Sequence, residues 1–517
     1  MQLRPCSLYN LLNYLRQHEG IVVPLHYING KFTKSSGTDR IDVVNPATEE
    51  VLDWVPAGTV SDAHAALRAA KEAYTEWRKV SANRRAQLMH EAAAKMRSHK
   101  DRIVRLLTLE QGKPVPENEE EFEWLTNTFD YYAELGRHER GRVLPSGEYS
   151  QLNLVLKEPY GVVLCIVPWN YPLLLMAWKV APALAAGNTV IIKPSELTPL
   201  TTLYLAQHCW DDFPPGVINV ITGYGPDVAE PLVLHRDVPV IAFTGSLAIG
   251  QRIALLAAPM MKKLHLELGG KDAFVIAEDA DPEIAARALA YAALTNAGQV
   301  CTSTERVYVP SSKAAQFTEA IVEHVKGLRL GPGIDPDTDI GPMIGAKYRE
   351  KVEGHISDAI ASGAKVLIGG RRPSGFDKGF YYEPTVIKDA THEMLIMREE
   401  TFGPAIPIME YSSFEDAIAL ANECEYGLGA VLLTKDPMRA KIFMEEVKAG
   451  TIWINDPLTD NYAGPFGGMK LSGGARELGQ EGLESFRETK HVHWDFAGDR
   501  KSWWYPYGES KDGESKE

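Results

Sequence analysis

The chain has 517 residues, of which 45% are hydrophobic and 24% charged, with a formal net charge of −15. That length exceeds one ordinary core and predicts two or three domains, while the negative charge argues against nucleic acid as a partner. The five cysteines form no CxxC pair, zinc set or disulfide framework, and no apolar run approaches a membrane span, so a soluble protein of a reducing compartment, the cytoplasm, is expected.

In chain order, Leu11, Leu12 and Leu15 give residues 1–24 a short apolar face, read as a surface helix in a soluble extension; a transit peptide or interfacial anchor is the alternative. Residues 58–136 carry apolar side chains at helical spacing, broken at Gly112 and Pro114. "QLNLVLKE" at 151–158 places Leu152, Leu154 and Leu156 on one face of a strand. From residue 161, apolar strands alternate with helices: "GVVLCIVP", "NTVIIKPS", "GVINVITG", "VPVIAFTG" and "KKLHLELGG" are the strands. Thr198 and Pro199 read as N-cap and first residue of the helix after the second. Such alternation predicts a parallel, doubly wound sheet with ligands beyond its carboxyl edge. "ERVYVP", "AIPIMEY", "GLGAVLLT" and "GTIWIN" predict a second α/β unit, and "TKHVHWDF" a last strand. In the tail, Trp503 and Trp504 are expected to cap a surface, followed by a disordered end.

Walker, GxGxxG, GxSxG and HExxH motifs are all missing, so a dinucleotide would have to bind without the usual glycine turn. Each strand end instead offers one candidate. Asn170 of "VPWNYP" carries an amide suited to a developing oxyanion, although a turn asparagine is the plainer reading. Lys193 and Glu196 of "KPSE" suit a phosphate or ribose and its vicinal hydroxyls, or else form a solvated pair. Gly245 and Ser246 open a helix whose first amides suit a pyrophosphate. Glu267 precedes two glycines that let a ligand approach the backbone. Cys301 of "GQVCTSTE" is either a buried, inert thiol or a nucleophile, and the fragment alone does not choose.

Together, "NPATEE", "LEQGKP", "PWNYPL", "GNTVIIKPSE", "FTGS", "LELGGK", "GQVC", "EETFGP" and "PFGGMKLSGGARELG" resemble, in order, the motifs of the NAD(P)-dependent aldehyde dehydrogenase family, from about residue 28 to 494. The resemblance implies a Rossmann-like cofactor domain (1–141 and 160–268, with the extension 1–24), a catalytic domain (269–470), a β oligomerisation arm (142–159 and 484–500) and a tail (501–517). It implies Cys301 as nucleophile, Glu267 as general base, Asn170 with the Cys301 amide as oxyanion donors, and Lys179 and Glu477 as proton-relaying groups. It assigns the cofactor cleft to Ile166, Val167, Pro168, Trp169, Lys193, Ser195, Glu196 and Gly225, continued by Phe243, Thr244, Gly245, Ser246, Leu268 and Gly269, with Glu400 and Phe402 at the nicotinamide end. Ala229 and Gly474-Ala475-Arg476 depart from the family's commoner residues, small for small.

The expected activity is NAD-dependent oxidation of an aldehyde to the acid, with Glu196 favouring NAD over NADP. A CoA-acylating enzyme is the near rival, disfavoured by Glu267; an inactive binding homologue would show damage at Cys301, Glu267 or Asn170, and none is seen. Tyr171, Leu175, Trp178, Val300, Thr302 and Tyr462 are the expected substrate pocket, with the loop "NDPLTDNYAG" at its entrance, pointing to apolar or aromatic aldehydes, with semialdehyde or betaine-type aldehydes as alternatives. Arg306 is the one arginine weighed near the site and read as structural. The partners expected are a small-molecule aldehyde and a second copy, in a homodimer or homotetramer; no metal is expected.

Overall fold

The computed structural model describes residues 25–138, 141–505 and 507; the apolar face predicted within 1–24 and the far end of the tail lie outside the described residues. Two seven-stranded sheets organise the chain. In the first, the strands run in the order Lys263–Glu267, Val240–Thr244, Val162–Ile166, Thr189–Lys193 and Ile218–Val220, all parallel. An antiparallel hairpin, His26–Ile28 and Lys31–Thr33, completes its edge, an addition that sequence periodicity did not announce. All five residues of Val162–Ile166, Thr189–Lys193 and Val240–Thr244 are buried, as strands covered on both faces require. The chain leaves Val162–Ile166 in one direction and returns on its other side with Val240–Thr244, so a crevice opens at the carboxyl ends between them.

The second sheet runs Lys365–Ile368, Thr385–Lys388, Ala405–Tyr411, Thr304–Pro310, Asp272–Ile276, Gly429–Leu433 and Thr451–Ile454, parallel except at its first edge strand. Its strand Asp272–Ile276 begins five residues after the first sheet's Glu267. The turn 268–271 therefore joins the carboxyl end of one sheet to the amino end of the other. A separate sheet pairs Arg487–Asp495 with Gln151–Pro159, and that strand with Gly141–Leu144. Trp503 and Trp504 do not cap a surface of this chain: they are 60% and 52% exposed.

Helices Val60–Trp77, Ala82–Ser98, Lys100–Gln111 and Val115–Leu135 fill the predicted helical region. Helix Pro172–Ala186 is buried over nearly its whole length and carries Lys179 into the interior. One expected cap is corrected. Helix Leu200–His208 is not capped by Thr198, whose hydroxyl has no partner; the buried carboxylate of Glu110, from another helix, accepts the amides of Leu200 and Thr201 at 2.8 and 2.9 Å. Among the described residues no helix is long and apolar enough to cross a membrane.

Candidate active site

Helix Pro282–Leu294 ends, and the chain then takes three successive left-handed residues, Asn296 (φ 52°), Ala297 (φ 55°) and Gly298 (φ 72°). Side chains disfavour this conformation, so it persists because neighbours hold it. Gln111 donates to the Asn296 side chain at 2.8 Å, Glu117 accepts its backbone amide at 2.9 Å, and Asn296 in turn donates to the carbonyls of Asn170 and Gln299 at 3.1 and 3.2 Å. Cys301 follows, half-buried, with its sulfur in an open cavity. The Asn170 amide donates to the Gln299 carbonyl at 3.0 Å, which leaves its second N–H free for a ligand. Burial, and then the charges of Asp272, Glu267, Glu400 and Asp460, push the Cys301 thiol well above its usual range. A sulfur so raised keeps its proton until an acceptor takes it.

Glu267 ends the edge strand of the first sheet, 2% exposed, and among the described residues neither of its carboxylate oxygens has a hydrogen-bond partner. Burial and the neighbouring Glu477 raise its pKa well above the carboxylate range, against the opposing pull of Lys179 and Arg476. Glu477 is itself held low: burial opposes ionisation, but Lys179 and His265 outweigh it. Lys179 Nζ donates to Glu477 at 2.5 Å and to Thr244 at 2.6 Å, and His265 Nε2 lies 3.4 Å from Glu477. Two adjacent buried carboxyls thus have their affinities for a proton driven apart, the arrangement that proton transfer uses. Thr244, expected in the cofactor cleft, meets Lys179 in this chain, and His265 joins a group that the sequence reading had limited to three residues.

The crevice beyond the first sheet suits a dinucleotide. Ile166, Val167, Phe243, Thr244 and Leu268 form its buried floor, whereas Pro168, Trp169, Glu196, Gly225, Ser246, Glu400 and Phe402 keep exposed surface. Helix Leu247–Ala257 starts after Ser246, whose side chain caps nothing, so its first amides remain available to an anion. Lys193 and Glu196 pair at 3.1 Å, and Ser195 accepts the amide of Leu197 at 3.2 Å. Glu400 reaches across to accept the Gly270 amide at 3.2 Å, lying so close over Gly269 that a Cβ there would come within 2.5 Å of its oxygen. Phe402, itself left-handed (φ 56°), meets Trp169 edge-on at 5.4 Å.

Cys301 also lines an open cavity of about 630 Å³, together with Tyr171, Leu175, Trp178, Val300 and Thr302. Tyr462 is a correction: it is absent from the lining and stacks behind Trp124 at 4.1 Å between centroids. Sequence reading missed Trp124, Tyr291, Phe466 and the acids Glu120 and Glu121, whereas Leu458 and Asp460 belong to the loop it had placed at the entrance; among the described residues no Lys, Arg or His lines the cavity. Asp460 is held up at about 7, by burial and then by Glu120. The quoted "LEQGKP" did hold a signal: Gln111 braces the Cys301 loop, and Lys113 pairs with the buried Glu121, whose carboxylate also accepts the amides of Leu173 and Leu174. Arg306 is structural as read, bonded to the carbonyls of Lys271, Leu420 and Ala421.

The geometry is matched by kinship. The family model described as "Aldehyde dehydrogenase family" matches residues 32–492. The chain is 38% identical over 493 residues to a chloroplastic betaine aldehyde dehydrogenase of Amaranthus hypochondriacus, covering 93% of this chain and 97% of that one. It is 38% identical over 491 residues to the peroxisomal aminoaldehyde dehydrogenase 2 of Pisum sativum, with the same coverage. Among solved structures, betaine aldehyde dehydrogenase from Staphylococcus aureus in complex with NAD+ superposes with a TM-score of 0.92 at 36% identity, covering 96% of this chain and 98% of that one.

Proposed function

The chain belongs to the aldehyde dehydrogenase family, and on that premise we propose that it oxidises ammonium-bearing aldehydes to carboxylic acids with NAD. The observation that carries this reading is a half-buried Cys301 flanked by a free amide proton of Asn170 and backed by the unpartnered carboxylate of Glu267. Pro168, Trp169, Lys193, Glu196, Ser246, Glu400 and Phe402 hold NAD, and Glu196 repels the 2′-phosphate of NADP. Bound NAD supplies a positive ring that accepts the hydride.

Glu267 takes the proton of the Cys301 thiol, and the sulfur adds to the aldehyde carbon to form a thiohemiacetal. The Asn170 amide and the Cys301 backbone N–H carry the oxyanion. When that oxyanion collapses, the carbon loses hydride and becomes a thioester on Cys301. Once that first proton has left it, Glu267 takes a proton from water, whose oxygen attacks the thioester; the acid leaves and the sulfur recovers a proton from Glu267. The proton held on Glu267 departs through Glu477 and the Lys179–Thr244 pair.

The substrate reading revises the apolar or aromatic expectation. The lining keeps its aromatic faces, but it also bears Glu120, Glu121 and Asp460 and, among the described residues, no cationic side chain, which favours a cation on an apolar stem and disfavours acidic semialdehydes. The names of the plant relatives, betaine and aminoaldehyde dehydrogenases, support the same class. The paired arm strands support a homodimer or homotetramer, and the scattered cysteines a reducing compartment such as the cytoplasm. The test follows NADH formation from alkyl, aryl, carboxylated and ammonium aldehydes, with Cys301→Ala as blank. Ammonium aldehydes are expected to give the highest kcat/KM and the blank none. Turnover by the blank would overturn the mechanism, and a preference for carboxylated aldehydes the substrate class.

A further inference from the structure

The three acids that line the substrate cavity differ in what already holds them. Glu121 is fully committed, to Lys113 and to two helix amides. Glu120 is exposed at the mouth. Asp460 is half-buried within the lining, and among the described residues no hydrogen bond or ion pair engages it. Its position is not loose: the indole of Trp453 donates to the carbonyl of Thr459 at 2.9 Å, and Asn455 and Leu458 of the same loop are fixed in left-handed turns. Trp124, Trp178 and Tyr291 share the lining with Asp460, and the Trp178 indole N–H is buried there without a partner. A carboxylate so placed is costly until a cation reaches it, whereas aromatic faces hold any cation without distinguishing N–H from N–CH3.

We propose that Asp460 is the specificity-determining residue of this pocket, accepting hydrogen bonds from an N–H-bearing ammonium at the far end of the aldehyde. The inference rests on the ammonium-aldehyde reading above and narrows it: primary amino aldehydes are favoured over trimethylammonium aldehydes, because charge-assisted N–H···O bonds need a donor that a quaternary nitrogen lacks. Asp460 touches the remote end of the substrate, so its loss alters selection and not the chemistry at Cys301.

The experiment compares kcat/KM for 3-aminopropanal, its N,N,N-trimethyl counterpart and butanal, in the wild-type protein and in Asp460→Asn and Asp460→Glu. The wild type is expected to rank them in that order. Asp460→Asn should lower the value for 3-aminopropanal by about 10- to 100-fold, the size of a charged hydrogen bond, while butanal changes by less than about twofold. Asp460→Glu should recover part of the preference. A loss shared equally by all three substrates would assign Asp460 to holding the loop and overturn the proposal, as would an unchanged ranking in Asp460→Asn. Wild-type indifference between the two ammonium aldehydes would remove the N–H requirement and with it the proposal. A wild type that prefers butanal would instead refute the ammonium-aldehyde reading itself.

Discussion

The surroundings of Glu305 and of Glu267 make a controlled comparison, because both side chains are almost fully buried, 4% and 2% exposed, and both stand near the Cys301 loop. Glu305 is saturated: Lys271 donates to it at 2.6 Å, and the amides of Thr401 and Phe402 each donate at 2.7 Å. Glu267 has no donor at all, and a like charge stands beside it. The first arrangement fixes a segment, since Thr401 and Phe402 follow Glu400, which accepts the Gly270 amide. The second leaves a carboxylate with spare capacity for a proton, at a cost in free energy that packing elsewhere must offset. Burial alone does not separate structural acids from chemical ones; the count of donors does.

Three measurements sharpen or break that contrast. The largest effect is expected in Glu267→Gln, where both steady-state turnover and the NADH burst should fall by on the order of 10²–10⁴-fold, because Glu267 takes the proton of the Cys301 thiol as well as that of the attacking water. Rapid-mixing absorbance checks this, and unimpaired turnover would dissolve the distinction. Next, Lys271→Met leaves Glu305 buried with two amides and no counter-charge. It should cost about 3–5 kcal/mol of stability, read as a lowered denaturant midpoint; an unchanged midpoint would show that the amides suffice. The smallest effect concerns pH. A carboxyl whose folded pKa is raised binds its proton more tightly folded than unfolded, so its contribution to stability is present at low pH and is lost as pH climbs from the ordinary carboxylate range toward the raised value. Glu267→Gln should therefore melt higher than wild type at alkaline pH, by about 2–4 °C, with the gap closing near pH 4. A gap of the opposite sign would mean that Glu267 is held by favourable contacts after all.

The same contrast explains what the sequence could disclose. Strand-end motifs were legible because apolar runs and their breaks are local: Lys193 and Glu267 end, and Asn170, Glu196 and Ser246 follow, strands that their own neighbours define. The partners that decide each residue's role were not local. Glu110 caps a helix 90 residues on, Lys179 meets Glu477 across 298 residues, and Glu305 reaches amides 96 and 97 residues away. The cavity wall was harder still: the loop that carries Asp460 was read at the entrance, but Trp124 and Tyr291 come from two helices with no shared pattern. Tyr462 was misplaced for that reason: composition put an aromatic in the right loop, but nothing local told which way it would face.

At the seam between the two sheets, a Cβ on Gly270 would run into the Cys301 carbonyl and come within 2.7 Å of Asp272, just as one on Gly269 would strike Glu400. Both glycines sit on the turn that ends the first sheet, yet what they make room for belongs to the second. The halves of this enzyme are therefore not exchangeable modules. A chimaera that joins the first sheet of one relative to the second of another inherits a fitted joint, and any swap point within this turn must carry both glycines together with the loop that presses on them.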